Sequence, residues 1–194
     1  MSSTTLHPLE PLTAEEIQHS VALLRDAGNV TPTTRFVSIS LKEPSKEAVQ
    51  QFTPKSPPAR EAFVVLFDNA ANACYEVTLS LSANQLLTYQ HIPNVQPTMT
   101  IDEQIEYEQA VLSDPEFKAL LKERYGIEDT ALIMVDIWSA GYYGTEEDRT
   151  MRLARPLCFL RSAPTDNGYA RPLEALRPTC LASLRQRECL PTPA

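Results

Sequence analysis

The alternation of apolar and polar residues divides the chain into two units, and each begins with a helix and continues with strands. In the first unit, Thr13 and Glu16 form a Thr-x-x-Glu capping box, which marks a helix start. The apolar residues that follow share one helix face: Ile17, Val21 and Leu24. Gly28 supplies the left-handed stop. The pattern therefore predicts a helix over residues 14–27.

Period-two alternation predicts strands at residues 36–41 and 75–81. The continuous apolar run 63–67 predicts a buried strand, and residues 86–92 are predicted to form a fourth strand. Between the first two strands along the chain, residues 43–60 hold four prolines and are expected to form a loop. The first unit is therefore expected to be one helix packed on a small antiparallel sheet.

The same order restarts after the proline-flanked linker 93–97. Thr100 and Glu103 form a second capping box, which predicts a helix over 101–112. Asp114 and Pro115 open another helix, which Gly126 ends. The apolar face of this second helix holds Phe117, Leu120, Leu121 and Tyr125.

Two further strands are predicted at residues 132–138 and 151–160. Pro156 lacks an N–H, so the second of them is expected to lie at an edge or to carry a bulge. Helices followed by runs of antiparallel strands indicate the α+β class. The predicted domains are residues 6–95 and 96–176, and residues 177–194 are predicted to be a divergent, disordered tail.

Charge is distributed unevenly along the chain. The net charge is −8, and residues 101–150 carry 4 basic against 13 acidic groups. The segment 102–129 is interpreted as a solvated acidic helix face. The acidic balance disfavours binding of nucleic acid, which relies on Lys and Arg at phosphates.

The N-terminus, the apolar runs and the cysteines indicate which compartment to expect for this chain. The N-terminus shows no secretory signal, and no apolar run reaches the roughly 18 residues of a membrane span. A cytoplasmic protein is therefore expected. Cys74 and Cys158 lie in apolar runs and are predicted to be small buried hydrophobes.

No catalytic constellation is visible in the sequence. The three histidines (His7, His19 and His91) lack metal-ligand spacing, so no metal site is predicted. Glu146, Glu147 and Asp148 are interpreted as solvated acids in a turn. Trp138 ends an apolar strand and is interpreted as a core or interface anchor.

Several segments together resemble the N-terminal region of the copper/topaquinone amine oxidases. Residues 7–16 (HPLEPLTAEE) resemble the opening of the N2 domain of that family. Residues 138–148 (WSAGYYGTEED) and 152–159 (RLARPLCF) resemble the most recognisable stretch of the N3 domain. Residues 169–174 (YARPLE) resemble its exit, so that the likeness covers about residues 6–176 in the family's order.

The resemblance implies two small cystatin-like domains without catalytic chemistry of their own. The family oxidises primary amines to aldehydes, releasing ammonia and hydrogen peroxide, with copper and topaquinone in a downstream β-sandwich domain. Neither the quinone motif nor the His-x-His copper motif occurs here, so the resemblance supplies no catalytic, cofactor-binding or metal-binding residue. The chain is expected to be inactive alone, with the β-sandwich domain as its absent partner and a homodimer as a further expectation.

The tail departs from the family, which continues after Arg171-Pro172 with a glycine and an apolar strand. Residues 175–189 instead bring Cys180, Cys189 and three arginines without alternation. A truncated or out-of-frame end and a divergent short protein both remain open explanations.

Two functions of different class follow. In the first, the chain is the structural N-terminal region of an amine oxidase, in which the resemblance points to Tyr169, before Ala170-Arg171-Pro172, as a wall residue of the amine channel. The alternative for Tyr169 is a tyrosine at a strand end that packs on its neighbours. Tyr142 and Tyr143 are turn aromatics expected to pack rather than to bind substrate. In the alternative, the chain is a free-standing cystatin-like module that binds a protein through its sheet or edge strand.

Overall fold

Two α+β units follow one another along the chain, Met1–Pro97 and Thr98–Ala194. The computed structural model describes residues 7–141, 144, 146, 151–174, 181–183 and 188–190. Each unit combines helices with an antiparallel four-stranded sheet, which confirms the predicted class. Within the described ranges no helix has the length and apolarity needed to cross a membrane.

The first unit carries one long helix, one short helix and a sheet. Its elements are α1 (Ala14–Asp26), β1 (Thr34–Lys42), α2 (Lys46–Gln50), β2 (Glu61–Asp68), β3 (Ala73–Ser80) and β4 (Gln85–Ile92). The strands lie in the order β1-β2-β3-β4, and neighbours are antiparallel. The helix α2 lies within the predicted loop 43–60, because the Ser45 hydroxyl caps it by accepting from the Ala48 N–H.

The core of the first unit lies between α1 and the sheet. Its fully buried members are Leu24, Ala62, Val64, Leu66, Val77 and Leu79. The predicted face of α1 is only partly right, because Ile17 is 37% exposed while Ser20 is fully buried. Glu16 takes the inward position one turn before Ser20, which turns Ile17 towards the flank of the helix. Cys74 is buried, as predicted.

The second unit begins with two helices. Its elements are α3 (Ile101–Ser113), α4 (Pro115–Tyr125), a short 3-10 turn (Thr130–Leu132), β5 (Ile133–Ser139), β6 (Leu153–Leu160), β7 (Leu181–Ser183) and β8 (Glu188–Leu190). Gly126 ends α4 at a φ of +66°, in the left-handed region that the sequence predicted. The strands lie in the order β5-β6-β7-β8, all antiparallel to their neighbours.

The core of the second unit lies between the helices and one face of the sheet. It contains Tyr107, Val111, Phe117, Leu121, Ile133, Val135, Ile137, Ala154, Cys158 and Leu173. The burial of Cys158 confirms its prediction as a small hydrophobe. Pro156 pairs in register with Ile137 of β5. On its other side β6 pairs with β7 at Leu153 and Ala154, so β6 is an inner strand of the sheet rather than the predicted edge strand. Pro156 lies between that pairing and the bridge from Phe159 to Pro172.

The structure differs from the sequence prediction in the tail. Residues 177–194 were expected to be disordered, yet β7 and β8 both fall within them. The N-terminal end of β6 presents backbone groups on the side away from β5, and β7 pairs with them there. The rest of the segment 175–194 lies outside the described residues.

A buried ion pair joins the start of α3 to the start of β6. Arg152 Nε donates to Glu103 Oε1 at 2.6 Å and Arg152 Nη2 to Glu103 Oε2 at 3.0 Å. The two side chains are only 6% and 1% exposed. Arg152 also donates to the Thr98 carbonyl, and its own carbonyl accepts from the Tyr107 hydroxyl at 2.6 Å. Glu103 therefore caps the helix and anchors it to the sheet through one carboxylate.

The first unit repeats this arrangement at its own helix. Arg60, which directly precedes β2, forms an ion pair with Glu16 of the Thr13 capping box. Arg60 Nη2 also donates to the Glu10 and Pro11 carbonyls at 2.9 and 2.7 Å. Both units thus bind the capping-box glutamate with the arginine before their second strand. The pair of the first unit is less buried, at 17% and 21% side-chain exposure.

Replacing the arginine of each ion pair tests how the burial of the pair affects the free energy of unfolding. We expect Arg152→Met to lower the free energy of unfolding by about 3–5 kcal/mol, because it leaves a buried carboxylate without its counter-charge. Arg60→Met is the matched control, and we expect a loss of about 1.5–3 kcal/mol. Urea titrations of both variants measure the difference. An equal or smaller loss for Arg152→Met contradicts this account.

The same pair predicts how stability depends on pH. Burial raises the pKa of Glu103, but hydrogen bonds from Arg152 and Thr100 and the Arg152 charge outweigh it and hold the pKa below the ordinary 4.5. A lowered pKa stabilises the fold above about pH 4.5, and this stabilisation is lost as the pH falls through the folded value.

We therefore expect the free energy of unfolding to fall as the pH is lowered from 4.5 to 3. In Glu103→Gln this fall should be shallower, because the titrating carboxyl is gone. Glu16→Gln should act in the same direction, since Arg60 likewise lowers the pKa of Glu16. Urea titrations at a series of pH values measure the slopes, and unchanged slopes in both variants rule the mechanism out.

Candidate functional site

The second sheet has one face that points away from its helices. Side chains along β5 and β6 point alternately to the two faces of the sheet, so the residues between the core positions share the face away from the helices. We call this the outer face. On β5 and β6 it is formed by Met134, Asp136, Trp138, Arg155, Leu157 and Phe159. In the antiparallel register Met134 lies opposite Phe159, Asp136 opposite Leu157, and Trp138 opposite Arg155. Three cross-strand pairs therefore lie side by side on the outer face.

Large apolar side chains of the outer face are open to solvent. Trp138 is 59% exposed and Leu157 is 49% exposed. The Trp138 indole N–H donates to Asp136 Oδ2 at 2.9 Å, which fixes the ring along the strand. Trp138 is thus not a core residue, so the first of its two interpretations is wrong. Clustered exposed apolar groups are typical of surfaces that contact another molecule or domain.

Tyr169, the residue singled out from the sequence, extends the outer face beyond the end of β6. Its ring packs edge-on against Phe159, with centroids 5.1 Å apart and planes at 69°. The side chain is 58% exposed. Tyr169 therefore presents an aromatic surface that is supported from one side and open on the other.

A network of polar contacts holds the loop that carries Tyr169. Asp166 Oδ2 accepts from the Ser162 N–H at 2.9 Å and from the Ser162 hydroxyl at 2.6 Å, and it forms an ion pair with Arg171. Asp166 Oδ1 accepts from the Asn167 N–H at 2.9 Å. The Ser162 hydroxyl and N–H are the main causes that hold the pKa of Asp166 far below its usual 3.8. The carboxylate therefore keeps its charge at neutral pH.

Arg171 ties the end of this loop to β6. Its Nε donates to the Leu160 carbonyl at 3.2 Å, and its own carbonyl accepts from the Leu160 N–H at 2.9 Å. The Tyr169 N–H donates to Asn167 Oδ1 at 3.0 Å. Both ends of the loop are thus fixed around Tyr169.

The other residues considered from the sequence do not join this surface in the described structure. Tyr142 and Tyr143 lie outside the described residues, as do Glu147 and Asp148 of the acidic turn. The flanking Gly141 and Gly144 have φ values of +80° and +91°, as a turn requires.

Metal-binding side chains are dispersed through the described part of the chain. His19 Nε2 lies 2.7 Å from Asn84 Oδ1, while His7 packs on Phe52 and His91 on Tyr75. No group of three His, Cys, Asp or Glu side chains that could hold a metal occurs among the described residues. The described residues therefore do not fit a copper site.

The sequence pattern did not reveal two ion pairs. Glu103 was placed on a solvated acidic face, whereas its side chain is bound by Arg152 in the interior. The Asp166–Arg171 pair joins residues only five positions apart, in a segment where the sequence pattern predicted no ion pair. The Glu103–Arg152 pair does have a feature in the sequence that could have indicated it. In each unit an arginine stands directly before the second strand.

Comparison with known protein families gives a match for each of the two units. Residues 13–88 match the AGAO-like N2 domain, and residues 102–180 match the N3 domain of copper amine oxidase. The two matches follow each other in the order in which the units occur.

Relatives align along most of this chain but are much longer. A primary amine oxidase of Arthrobacter sp. (strain P1) is 37% identical over 169 residues, covering 87% of this chain and 25% of that protein. The copper-containing diamine oxidase 1 of Nicotiana tabacum, a peroxisomal protein, is 31% identical over 210 residues, covering 89% and 27%. This chain thus spans about a quarter of the relatives it matches.

A solved structure shares the fold. The copper-containing benzylamine oxidase from Hansenula polymorpha superposes with a TM-score of 0.70 at 23% identity, over 87% of this chain and 27% of that one. At this identity the likeness speaks for the fold. The two domain matches and the 37% identity to the Arthrobacter primary amine oxidase show that this chain belongs to the copper amine oxidase family and carries the N2 and N3 domains of that family.

Proposed function

We propose that this chain is the non-catalytic N-terminal region of a copper-dependent primary-amine oxidase. The parent reaction converts a primary amine, oxygen and water into an aldehyde, ammonia and hydrogen peroxide. Copper and the quinone supply that oxidation in the catalytic β-sandwich domain of the family. The observation that carries the proposal is the pair of successive domain matches on a chain that spans a quarter of its relatives.

We assign this region a structural role, in which its two units, proposed to be of cystatin-like shape, help to form the frame of the parent enzyme. We assign it no catalytic residue of the parent reaction.

The outer face is proposed as the surface that the catalytic domain covers. Trp138 and Leu157 are exposed there, on the side opposite the helices. The relatives continue for about three times the length of this chain, so a large partner belongs to the same polypeptide in them. Covering two large apolar side chains favours docking by about 25 cal/mol for each Å² buried.

Tyr169 is proposed as a wall residue of the passage by which amines reach the cofactor. Its ring is braced by Phe159 and open on the other side, which suits a wall that must keep its shape while a substrate passes. An aromatic face can also attract the ammonium group of an amine.

A free-standing protein-binding module is the second candidate, and the edge strand β4 favours it. Most of β4 is exposed, including Leu87 at 44% and Tyr89 at 37%. Within the described residues β4 pairs with β3 on one side. Its other side can add a strand from a partner.

A hybrid enzyme separates the two candidates. Residues 6–176 of this chain replace the matching segment of the Arthrobacter primary amine oxidase, and amine-dependent release of hydrogen peroxide is measured. We expect the hybrid to turn over amine, and the same enzyme with the segment deleted to fail. A folded, copper-loaded hybrid without activity contradicts the first candidate and leaves the binding module.

Within that hybrid, Tyr169→Ala tests the proposed wall. We expect KM for an aromatic amine to rise about 2- to 10-fold with little change in kcat, because an aromatic contact contributes about 0.5–1.5 kcal/mol. Tyr89→Ala, an exposed tyrosine of the first unit, is the matched control. Equal KM values for Tyr169→Ala and the control refute the wall role.

A further inference from the structure

We infer that Asp166 is a positioning residue for Tyr169. Together with Arg171 it forms a clamp, which holds the loop that carries Tyr169 against the end of β6. The inference rests on the proposed function only in its consequence for substrate access. The position of Tyr169 itself can be measured in this chain without any enzyme assay.

The carboxylate of Asp166 accepts hydrogen bonds from donors at three points of one loop. Ser162 supplies two donors at the start of the loop, Asn167 one in its middle, and Arg171 one at its end. Both carboxylate oxygens are needed, because Oδ2 accepts from Ser162 and Arg171 while Oδ1 accepts from Asn167. An asparagine retains one acceptor oxygen and introduces an NH₂ group where donors already point.

Arg171 connects this clamp to the sheet. Its guanidinium reaches both the Asp166 carboxylate and the Leu160 carbonyl, so one planar group spans the loop and the last residue of β6. A lysine keeps the charge but loses this forked geometry. Tyr169 lies between the two clamped ends, and this arrangement sets its ring against Phe159.

The clamp lies outside the hydrophobic core. The side chain of Asp166 is 27% exposed and that of Arg171 is 46% exposed. The chain re-enters the core two residues later at Leu173, whose N–H donates to the Cys158 carbonyl at 2.9 Å. Exposed ion pairs contribute little to stability. Loss of the clamp should therefore move Tyr169 more than it destabilises the fold.

The experiment compares the intact chain with Asp166→Asn by NMR. We expect the nuclear Overhauser effect between the Tyr169 and Phe159 rings to be lost, while the urea midpoint of unfolding stays unchanged. Arg171→Lys should give the same loss and serves as a second variant. Asp129→Asn is the matched control, because Asp129 is an exposed loop aspartate that accepts one backbone N–H, from Ala131 at 2.9 Å. We expect this control to keep the ring contact.

Retention of the ring contact in both Asp166→Asn and Arg171→Lys overturns the inference. A lost contact accompanied by a lowered midpoint in both variants also overturns it, because the pair is then a general stabiliser of the fold.

The hybrid enzyme connects the clamp to function. There we expect Asp166→Asn to raise KM by the same factor as Tyr169→Ala, and the double variant to add nothing further. If Tyr169→Ala leaves KM unchanged while the ring contact is lost in Asp166→Asn, the wall role fails and the clamp stands. If Tyr169→Ala raises KM and Asp166→Asn does not, the clamp fails and the wall role stands.

Discussion

The contact between a capping-box glutamate and the arginine before the second strand determines how each unit is assembled. In the second unit this contact is almost fully buried, so Glu103 and Arg152 depend on each other: either charge alone in that position is costly. The Glu103 carboxylate also accepts a hydrogen bond from the Thr100 N–H, and the Arg152 carbonyl accepts one from the Tyr107 hydroxyl. Helix start, helix orientation and strand start are thereby fixed by one pair of side chains.

The repetition of this contact shows how one plan serves both units. Both lead helices have 13 residues, and in both the arginine stands directly before the second strand. Because Glu16 faces Arg60, the inward side of α1 continues through Ser20 and Leu24. The contact therefore explains the exposure of Ile17, which spacing alone had placed in the core.

Much of the fold could be predicted because its signals are local. Capping boxes, the glycine stop at Gly126 and period-two strands each involve residues close in sequence, and the structure has those elements at the expected places. The ion pairs escaped because their partners are 44 and 49 residues apart, and no spacing rule connects them. An acidic run on a helix is usually solvated, and that rule placed Glu103 wrongly.

The candidate site was reached only in part from the sequence. Tyr169 came from resemblance to a family, and the Phe159 ring that braces it depends on tertiary packing. The clamp was missed because Ser162, Asp166 and Arg171 have the composition of an ordinary turn. Short-range polar residues acquire a positioning role only through the way the loop folds back on β6.

We propose that this chain contributes shape to the parent enzyme and that the rest of that enzyme contributes the chemistry. A cofactor enzyme needs its protein to bind, orient and exclude water as well as to hold the reactive group. In this proposed division the outer face serves as the docking surface, and we assign Tyr169 the role of a fixed point at its end.

The most direct test is to measure amine-dependent hydrogen peroxide release by the purified chain in the presence of copper, with the Arthrobacter primary amine oxidase as the positive control. The account predicts no peroxide from a chain that unfolds cooperatively. A copper-dependent signal that scales with the amount of the chain would contradict it, because a catalytic site would then lie within these 194 residues.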